Sequence, residues 1–365
     1  MNDRVINDPR MDPRIKAALR STPVFSFPNV SAREELSSLA EQLAIQPYQH
    51  SSDLPDYETI APSAGLDIRT CKISSQPDGN EILLQTIKPG GSEKQACVYY
   101  IHGGGMMMGS CFAPNLAAWG RLIASAGVTV VMVEFRNSLV PSSVDEVGPF
   151  PAGLNDCVSG LRWLLRNAGE LGIDPGRIIV AGESGGANLS IALAMTMKRE
   201  NTLSSVAGLY LMCPFLSAEA NSDPRSSEVE NDNILNSGPK PNAFAVAYGI
   251  EQVTQRNPAA WPAYASTEDV AGFPETIITV NECDTLRDDG VNFYRLLLQA
   301  GVPTRCRQLM GTIHGTEVDV AMCPDISRDA ARELAHFAMS AGPAIRPRSA
   351  ARYNQIKAQR AAPVR

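Results

Sequence analysis

Ser184 lies in Gly182-Glu183-Ser184-Gly185-Gly186, a G-x-S-x-G pentapeptide, and the chemistry this pattern suits is nucleophilic attack. The β-branched run Ile178 to Val180 before it reads as a buried strand, and Ala187 to Lys198 after it reads as a helix. A serine in so tight a strand-to-helix turn takes a strained backbone conformation. The residues two away must be small because strand and helix nearly touch, and Gly182 and Gly186 meet that demand. The helix that follows points its N-terminus at Ser184, where it favours developing negative charge.

A serine hydroxyl needs a base within hydrogen-bond reach. The chain has four histidines. His50 falls in an N-terminal linker, His336 on a packing pattern within the last helix, and His102 before three glycines, where it suits a backbone-shaping role. His314, in a loop after the last strand, is the expected base, because α/β sheets place chemistry at the carboxyl ends of their strands. A carboxylate must then fix the imidazole tautomer. The stretch Asn281-Glu282-Cys283-Asp284-Thr285-Leu286-Arg287-Asp288-Asp289 follows a strand and offers four candidates. Asp288 and Asp289 fall where acids serve a helix dipole. Asp284 lies nearer the loop tip, with Glu282 and Asp288 as alternatives. Acyl transfer also needs donors for an oxyanion. His102-Gly103-Gly104-Gly105 at a strand end suits that role, with Gly103, Gly104 and the Gly185 amide as the expected donors.

These residues require a scaffold of strands and helices. Leu66 to Ile73 and Glu81 to Ile87 flank Gln76-Pro77-Asp78-Gly79-Asn80, a turn sequence, and predict an antiparallel hairpin. Apolar runs at 96–101, 128–135, 178–181, 206–212, 276–280 and 304–309 then alternate with helical patterns at 117–126, 156–168, 187–199, 288–300 and 328–340. Such alternation predicts an α/β fold with a mainly parallel sheet covered by helices on both faces. Residues 215–265 interrupt it and predict an inserted lid, completed by a helix at 31–43 with a Ser31–Glu34 capping box. Residues 1–30 read as loosely structured and 47–62 as a linker. The basic stretch 346–365 reads as a solvated tail.

With 44% hydrophobic residues and a net charge of −7, the 365-residue chain reads as globular and not as a nucleic-acid binder. No apolar run approaches a membrane span, and the first residues lack the apolar core of a signal peptide. Eight scattered cysteines without a C-x-x-C pair predict a reduced, cytosolic protein. Oligomeric state stays open, a homodimer included.

The chain resembles the hormone-sensitive-lipase-like esterases, the bacterial family IV of the α/β-hydrolase superfamily, from about Gly65 to Ala341. The matching stretches are YYIHGGGMMMGS (99–110), PFPAGLNDC (149–157), LGIDPGRIIVAGESGGANLS (171–190), WPAYAS (261–266), NECDTLRDDG (281–290) and the pair His314-Gly315. The resemblance implies an α/β-hydrolase fold with an eight-stranded sheet and a helical cap built from residues 1–60 and the insertion 215–265, on a catalytic domain of residues 61–345. It implies a triad of Ser184, Asp284 and His314, and the family's D-x-L-R-D-x-G pattern is what raises Asp284 above its neighbours. It also implies an oxyanion hole at Gly103, Gly104 and Gly185, and no metal or organic cofactor. The chain departs from the family at Phe135 to Val140, at Glu183 where aspartate is usual, at Thr316, and at Met106-Met107-Met108, where aromatic or aliphatic residues are common. These three methionines are candidate substrate contacts, though three in a row cannot all face one way. The expected activity is hydrolysis of short to medium acyl esters, small-molecule substrates. Acyl transfer through the same acyl-enzyme is an alternative. So is a non-catalytic receptor of the gibberellin-receptor kind, which lacks the histidine that His314 supplies here.

Overall fold

The computed structural model describes residues 3–21, 27–45, 55–91, 93–234 and 240–342. The expectations for the basic stretch 346–365, for His50 and for the first half of the 47–62 linker lie outside the described residues. Eight strands form one sheet: β1 (Leu66–Ser74), β2 (Glu81–Pro89), β3 (Gln95–Ile101), β4 (Thr129–Glu134), β5 (Ile173–Glu183), β6 (Gly208–Met212), β7 (Thr276–Cys283) and β8 (Thr304–Ile313). Their spatial order is β1-β2-β4-β3-β5-β6-β7-β8. β1 pairs with β2 and β2 with β4 in antiparallel fashion, with Leu66 opposite Pro89 and Ser74 opposite Glu81. All later pairings are parallel.

The central strands β3, β4 and β6 are apolar along almost their whole length because both faces are covered, whereas the edge strand β8 is mostly half-buried or exposed. Every residue of β4 is buried. In β3, Cys97, Tyr99 and Ile101 join one core with the helices Ala152–Asn167, Gly185–Arg199 and Arg287–Gln299. Val98 and Tyr100 face the other way, into a core with Trp119 of the helix Pro114–Ser125 and Phe337 of the helix Pro324–Ser340. The period of two along a strand thus feeds two separate helix layers. The carboxyl ends of the parallel strands all open at one edge.

The described residues among the first sixty pack in three places. Residues 3–21, expected to be loose, form the helices Asp3–Ile6 and Pro13–Ser21. Val5, Met11 and Ile15 are buried there with Ile234, Cys283 and Cys323. Residues 33–45 form a 3-10 turn and a helix whose Leu36, Leu39 and Leu43 pack on Ala243, Val246 and Ala247 of the inserted segment. Glu35, not Glu34, turns back at this start and accepts the N–H groups of Ser31 and Ala32 at 3.2 Å each. Tyr57–Ile60 packs beside the helix Pro114–Ser125, in a third place. Among the described residues no helix is long and apolar enough to cross a membrane.

Candidate active site

Ser184 stands between β5 and the helix Gly185–Arg199 with φ 54° and ψ −119°. A non-glycine residue in that region is held by its surroundings against an intrinsic cost. The surroundings here are backbone. Ser184 N–H donates to Met212 O at 2.9 Å, and its carbonyl accepts from the N–H of Phe215 at 3.2 Å. The flanking glycines are a steric necessity: a Cβ on Gly186 would fall 2.0 Å from Ile101 O, and one on Gly182 would fall 2.5 Å from Gly186.

His314 Nδ1 lies 2.8 Å from Asp284 Oδ2. Asp284 is fully buried and its other oxygen accepts the Leu286 N–H at 2.9 Å. A carboxylate on Nδ1 puts the proton there and leaves Nε2 as the basic nitrogen. The three rival acids are engaged elsewhere. Glu282 accepts Gly311 N–H, Asp288 accepts Ser227 N–H, and Asp289 accepts the N–H groups of Leu216 and Ser217. Burial lowers the affinity of His314 for a proton, but the Asp284 charge and contact with the Cys213 thiol outweigh it, and its pKa is raised. Cys213 is itself pushed up to about 11 by burial.

Ser184 and His314 line one cavity of about 440 Å³. No hydrogen bond joins Ser184 Oγ to His314 among the described residues; such bonds commonly tighten only with substrate. Apolar lining comes from Phe27, Leu43, Met108, Phe215, Phe244 and Leu286. Of the three methionines expected near substrate, only Met108 reaches this cavity. Met106, at φ 58°, turns into the main core, and Met107 packs with Leu36 and Val246.

One expected oxyanion donor is already engaged. The Gly103 N–H donates to Glu183 Oε1 at 2.5 Å, and Tyr100 OH donates to the other oxygen of the same carboxyl. Among the described residues the amides of Gly104, Gly105 and Gly185 have no such partner. A Cβ on Gly185 would fall 2.9 Å from Gly105 Cα, so these two glycines lie side by side. The free amides at this corner are therefore those of Gly104, Gly105 and Gly185, and Gly103 gives way to Gly105. Glu183 is buried at the edge of the cavity, and burial pushes its pKa up to about 7 against the pull of the Tyr100 and Gly103 hydrogen bonds. A second buried carboxyl, Glu317, accepts from Thr279 Oγ1 at 3.1 Å and from Asn281 Nδ2 at 2.8 Å, three residues beyond His314.

A bent serine, a histidine held by a buried carboxylate and a set of unengaged backbone amides around one apolar cavity define a hydrolase site on an α/β sheet. The chain belongs to the family described as the alpha/beta hydrolase fold, whose pattern matches residues 98–318. Within it the chain is of the hormone-sensitive-lipase-like type. It is 31% identical to the carboxylesterase NlhH of Mycobacterium tuberculosis over 65% of this chain and 72% of that protein. Among solved structures it is 49% identical to the esterase Est22, with a TM-score of 0.85 over 92% of this chain and 99% of that one. It is 30% identical to brefeldin A esterase, a bacterial homologue of human hormone-sensitive lipase, with a TM-score of 0.80 over 91% of this chain and 94% of that one. The protein is a carboxylesterase-type hydrolase.

Proposed function

We propose that the protein hydrolyses short to medium acyl esters through an acyl-enzyme on Ser184. His314 Nε2 takes the Ser184 proton as Oγ bonds to the ester carbonyl carbon. Asp284 holds the imidazole and balances the charge it gains. The carbonyl oxygen becomes an oxyanion that the amides of Gly104, Gly105 and Gly185 receive. As the C–O bond to the alcohol breaks, His314 returns the proton to the leaving oxygen. Water then adds to the acyl carbon, its proton going to His314, and Ser184 leaves with that proton.

The observation that carries this reading is the His314 Nδ1–Asp284 Oδ2 hydrogen bond at 2.8 Å beside a cavity that Ser184 also lines. Residues 27–45 and the insertion 215–265 act as a cap that bounds the acyl chain, since Phe27, Leu43 and Phe244 share the cavity wall with Ser184. A structure of Est22 holds p-nitrophenol, the alcohol that p-nitrophenyl esters release, which makes such esters the natural first assay. A fluorophosphonate should label Ser184 once per chain, and Ser184→Ala should lose label and on the order of 10³-fold or more in kcat. Label on another residue, or full turnover by Ser184→Ala, overturns the reading.

A further inference from the structure

The catalytic cavity is mostly apolar but has one polar wall. Glu228, Lys240 and Thr285 border it, and the same three residues border a second cavity of about 300 Å³ on their far side. Lys240 is the cation of this partition, with a side chain only 6% exposed. Its Nζ donates to Ser217 O at 3.0 Å. Glu228 Oε2 and Asp289 Oδ2 each lie 4.0 Å away, too far for a hydrogen bond. An ammonium has three N–H donors, so part of its capacity is unmet among the described residues.

The two carboxylates are in the opposite condition. Glu228 accepts the backbone N–H of Lys240 at 2.8 Å and of Asn221 at 3.0 Å. Asp289 accepts from Leu216 and Ser217 at 2.8 and 3.0 Å. Both carboxylates are held by backbone N–H groups and stand 4.0 Å from Nζ, so neither takes up the remaining N–H bonds of the cation. Lys240 Nζ lies 5.4 Å from the centroid of Phe215, and Phe215 N–H is bonded to Ser184 O at 3.2 Å. One aromatic residue thus links the cation to the nucleophile's backbone. A buried donor without an acceptor is costly, and an oxygen on the substrate relieves that cost where a methylene does not. An anionic group would meet Glu228 and Asp289 as well, so the chemistry favours a neutral oxygen.

We infer that Lys240 is a specificity-determining residue that selects esters carrying a second, neutral oxygen acceptor, such as an ether, keto or hydroxyl group, on the arm that lies along this wall. The inference rests on the Ser184 esterase reading and sharpens its substrate class.

The test is an oxygen scan. Ether isosteres, with one methylene replaced by oxygen at successive positions, are compared with p-nitrophenyl hexanoate for the acyl arm and with hexyl acetate for the alcohol arm. Each kcat/KM is divided by the hydroxide-catalysed rate of the same ester, which removes inductive effects. One position on one arm should stand about tenfold or more above the all-carbon ester, the gain from a charged donor. Lys240→Met should abolish that peak, so that every oxygen position falls to the level of the variant's own all-carbon ester. Lys240→Gln, which keeps a neutral donor, should retain a reduced peak. A flat scan in the wild-type protein overturns the inference without any variant. So does equal slowing of every ester by Lys240→Met, which would make the lysine a structural tie between the insertion and Asp289. If Lys240→Met does not fold, a full-height peak in Lys240→Gln overturns the inference and a reduced one supports it. Fluorophosphonate labelling of Ser184 in the wild-type protein separates the two readings: a labelled serine with a flat scan removes only the Lys240 assignment, whereas an unlabelled serine removes the esterase reading itself.

Discussion

The floor of the catalytic cavity and its roof are held by different physics. The floor is strand ends and the turns after them. Each turn is pinned by a carboxyl: Glu183 to Gly103, Asp284 to Leu286 and His314, Glu282 to Gly311. Most of these residues follow the buried carboxyl ends of β3, β5 and β7, where a close-packed core holds them, and β8 brings Gly311 and His314 in from the sheet edge. The roof is the short helices at 37–45, 243–248 and 250–254. Helices of that length are marginal alone and persist only through packing. Leu36, Leu39 and Leu43 supply it against Ala243 and Val246. The pair Val30–Asn242 adds two backbone-to-amide hydrogen bonds of 2.8 Å. The difference predicts that substitutions in the floor change the chemical step by orders of magnitude, while those in the roof change which ester is preferred.

The largest effect within the floor after removal of the nucleophile is expected for Asp284→Asn. The amide favours the wrong imidazole tautomer, and kcat should fall by about 10³- to 10⁴-fold with the melting temperature little changed. If Asp288→Asn or Glu282→Gln is the inactive variant instead, the floor is organised around a different acid. Gly104→Ala comes next. Gly104 has φ +99°, and a Cβ there would fall 2.0 Å from Met108 O, so the loop must shift its amides. A loss of about 10²- to 10³-fold in kcat with smaller change in KM is expected, the value of one oxyanion donor. Wild-type kcat in Gly104→Ala would detach this loop from the chemistry.

A third prediction uses pH. In the proposed mechanism His314 is unprotonated when it takes the serine proton, and its pKa is raised, so the acid limb of kcat/KM should have its midpoint above 6.5. Glu183 faces His314 and is protonated up to about pH 7. Above that pH its charge favours protonated His314, so Glu183→Gln should move the limb to lower pH. Stability supplies an independent reading. The unfolded carboxyl loses its proton near 4.5 and the folded one near 7, so the folded state binds more protons between those values. The contribution of Glu183 to stability should therefore fall as pH rises from about 4.5 to 7, by roughly 3 kcal/mol, and stay level beyond. Glu183→Gln should lack that slope in urea unfolding at pH 5 and 8; an identical slope in both proteins would remove Glu183 from the account.

The same contrast governs what could be read from the sequence. The floor's strands were legible because doubly buried strands are runs of Val, Ile and aromatic residues, and G-x-S-x-G announces its own turn. His314 was legible by elimination. Spacing did not decide between Asp284, Glu282 and Asp288, because the choice depends on which oxygen faces the imidazole and which faces backbone amides. The engagement of Gly103 was hidden for a similar reason: its partner is the Glu183 side chain, from the neighbouring strand β5. The orientation of Met106 to Met108 follows from a left-handed residue at Met106 that no local pattern marks. Residues 3–21 read as loose because their helices are short, and the buried Ile15 gains its neighbours from the far end of the chain. The roof was legible as an interruption at 215–265 and a helix at 31–43, but the wall that joins Phe27 to Phe244 was not, since those residues lie far apart in the sequence.

Phe244 gives the smallest expected effect and the sharpest test of the roof. Its ring lies 4.6 Å from that of Phe27 and 5.3 Å from that of Phe215, centroid to centroid, and all three line the cavity with Ser184. Phe244→Ala removes the middle ring and lengthens the space above Met108, while the Phe244 side chain itself makes no hydrogen bond to Ser184, Asp284 or His314. Across p-nitrophenyl esters of increasing chain length, the wild-type protein should show a maximum of kcat/KM at short to medium acyl chains. In Phe244→Ala the maximum should move to longer chains, each added methylene that finds cover contributing up to about 0.8 kcal/mol, or about fourfold. The rate for the acetate ester should stay within a few-fold, because the chemical step is set below. Met108→Ala should move the maximum less, and Met107→Ala not at all, since Met107 is buried with Leu36 and Val246 away from the cavity. A wild-type profile that rises without a maximum would mean the roof does not bound the acyl chain. A large loss for the acetate ester in Phe244→Ala would mean that roof and floor are one mechanical unit, and the division drawn between them would fail.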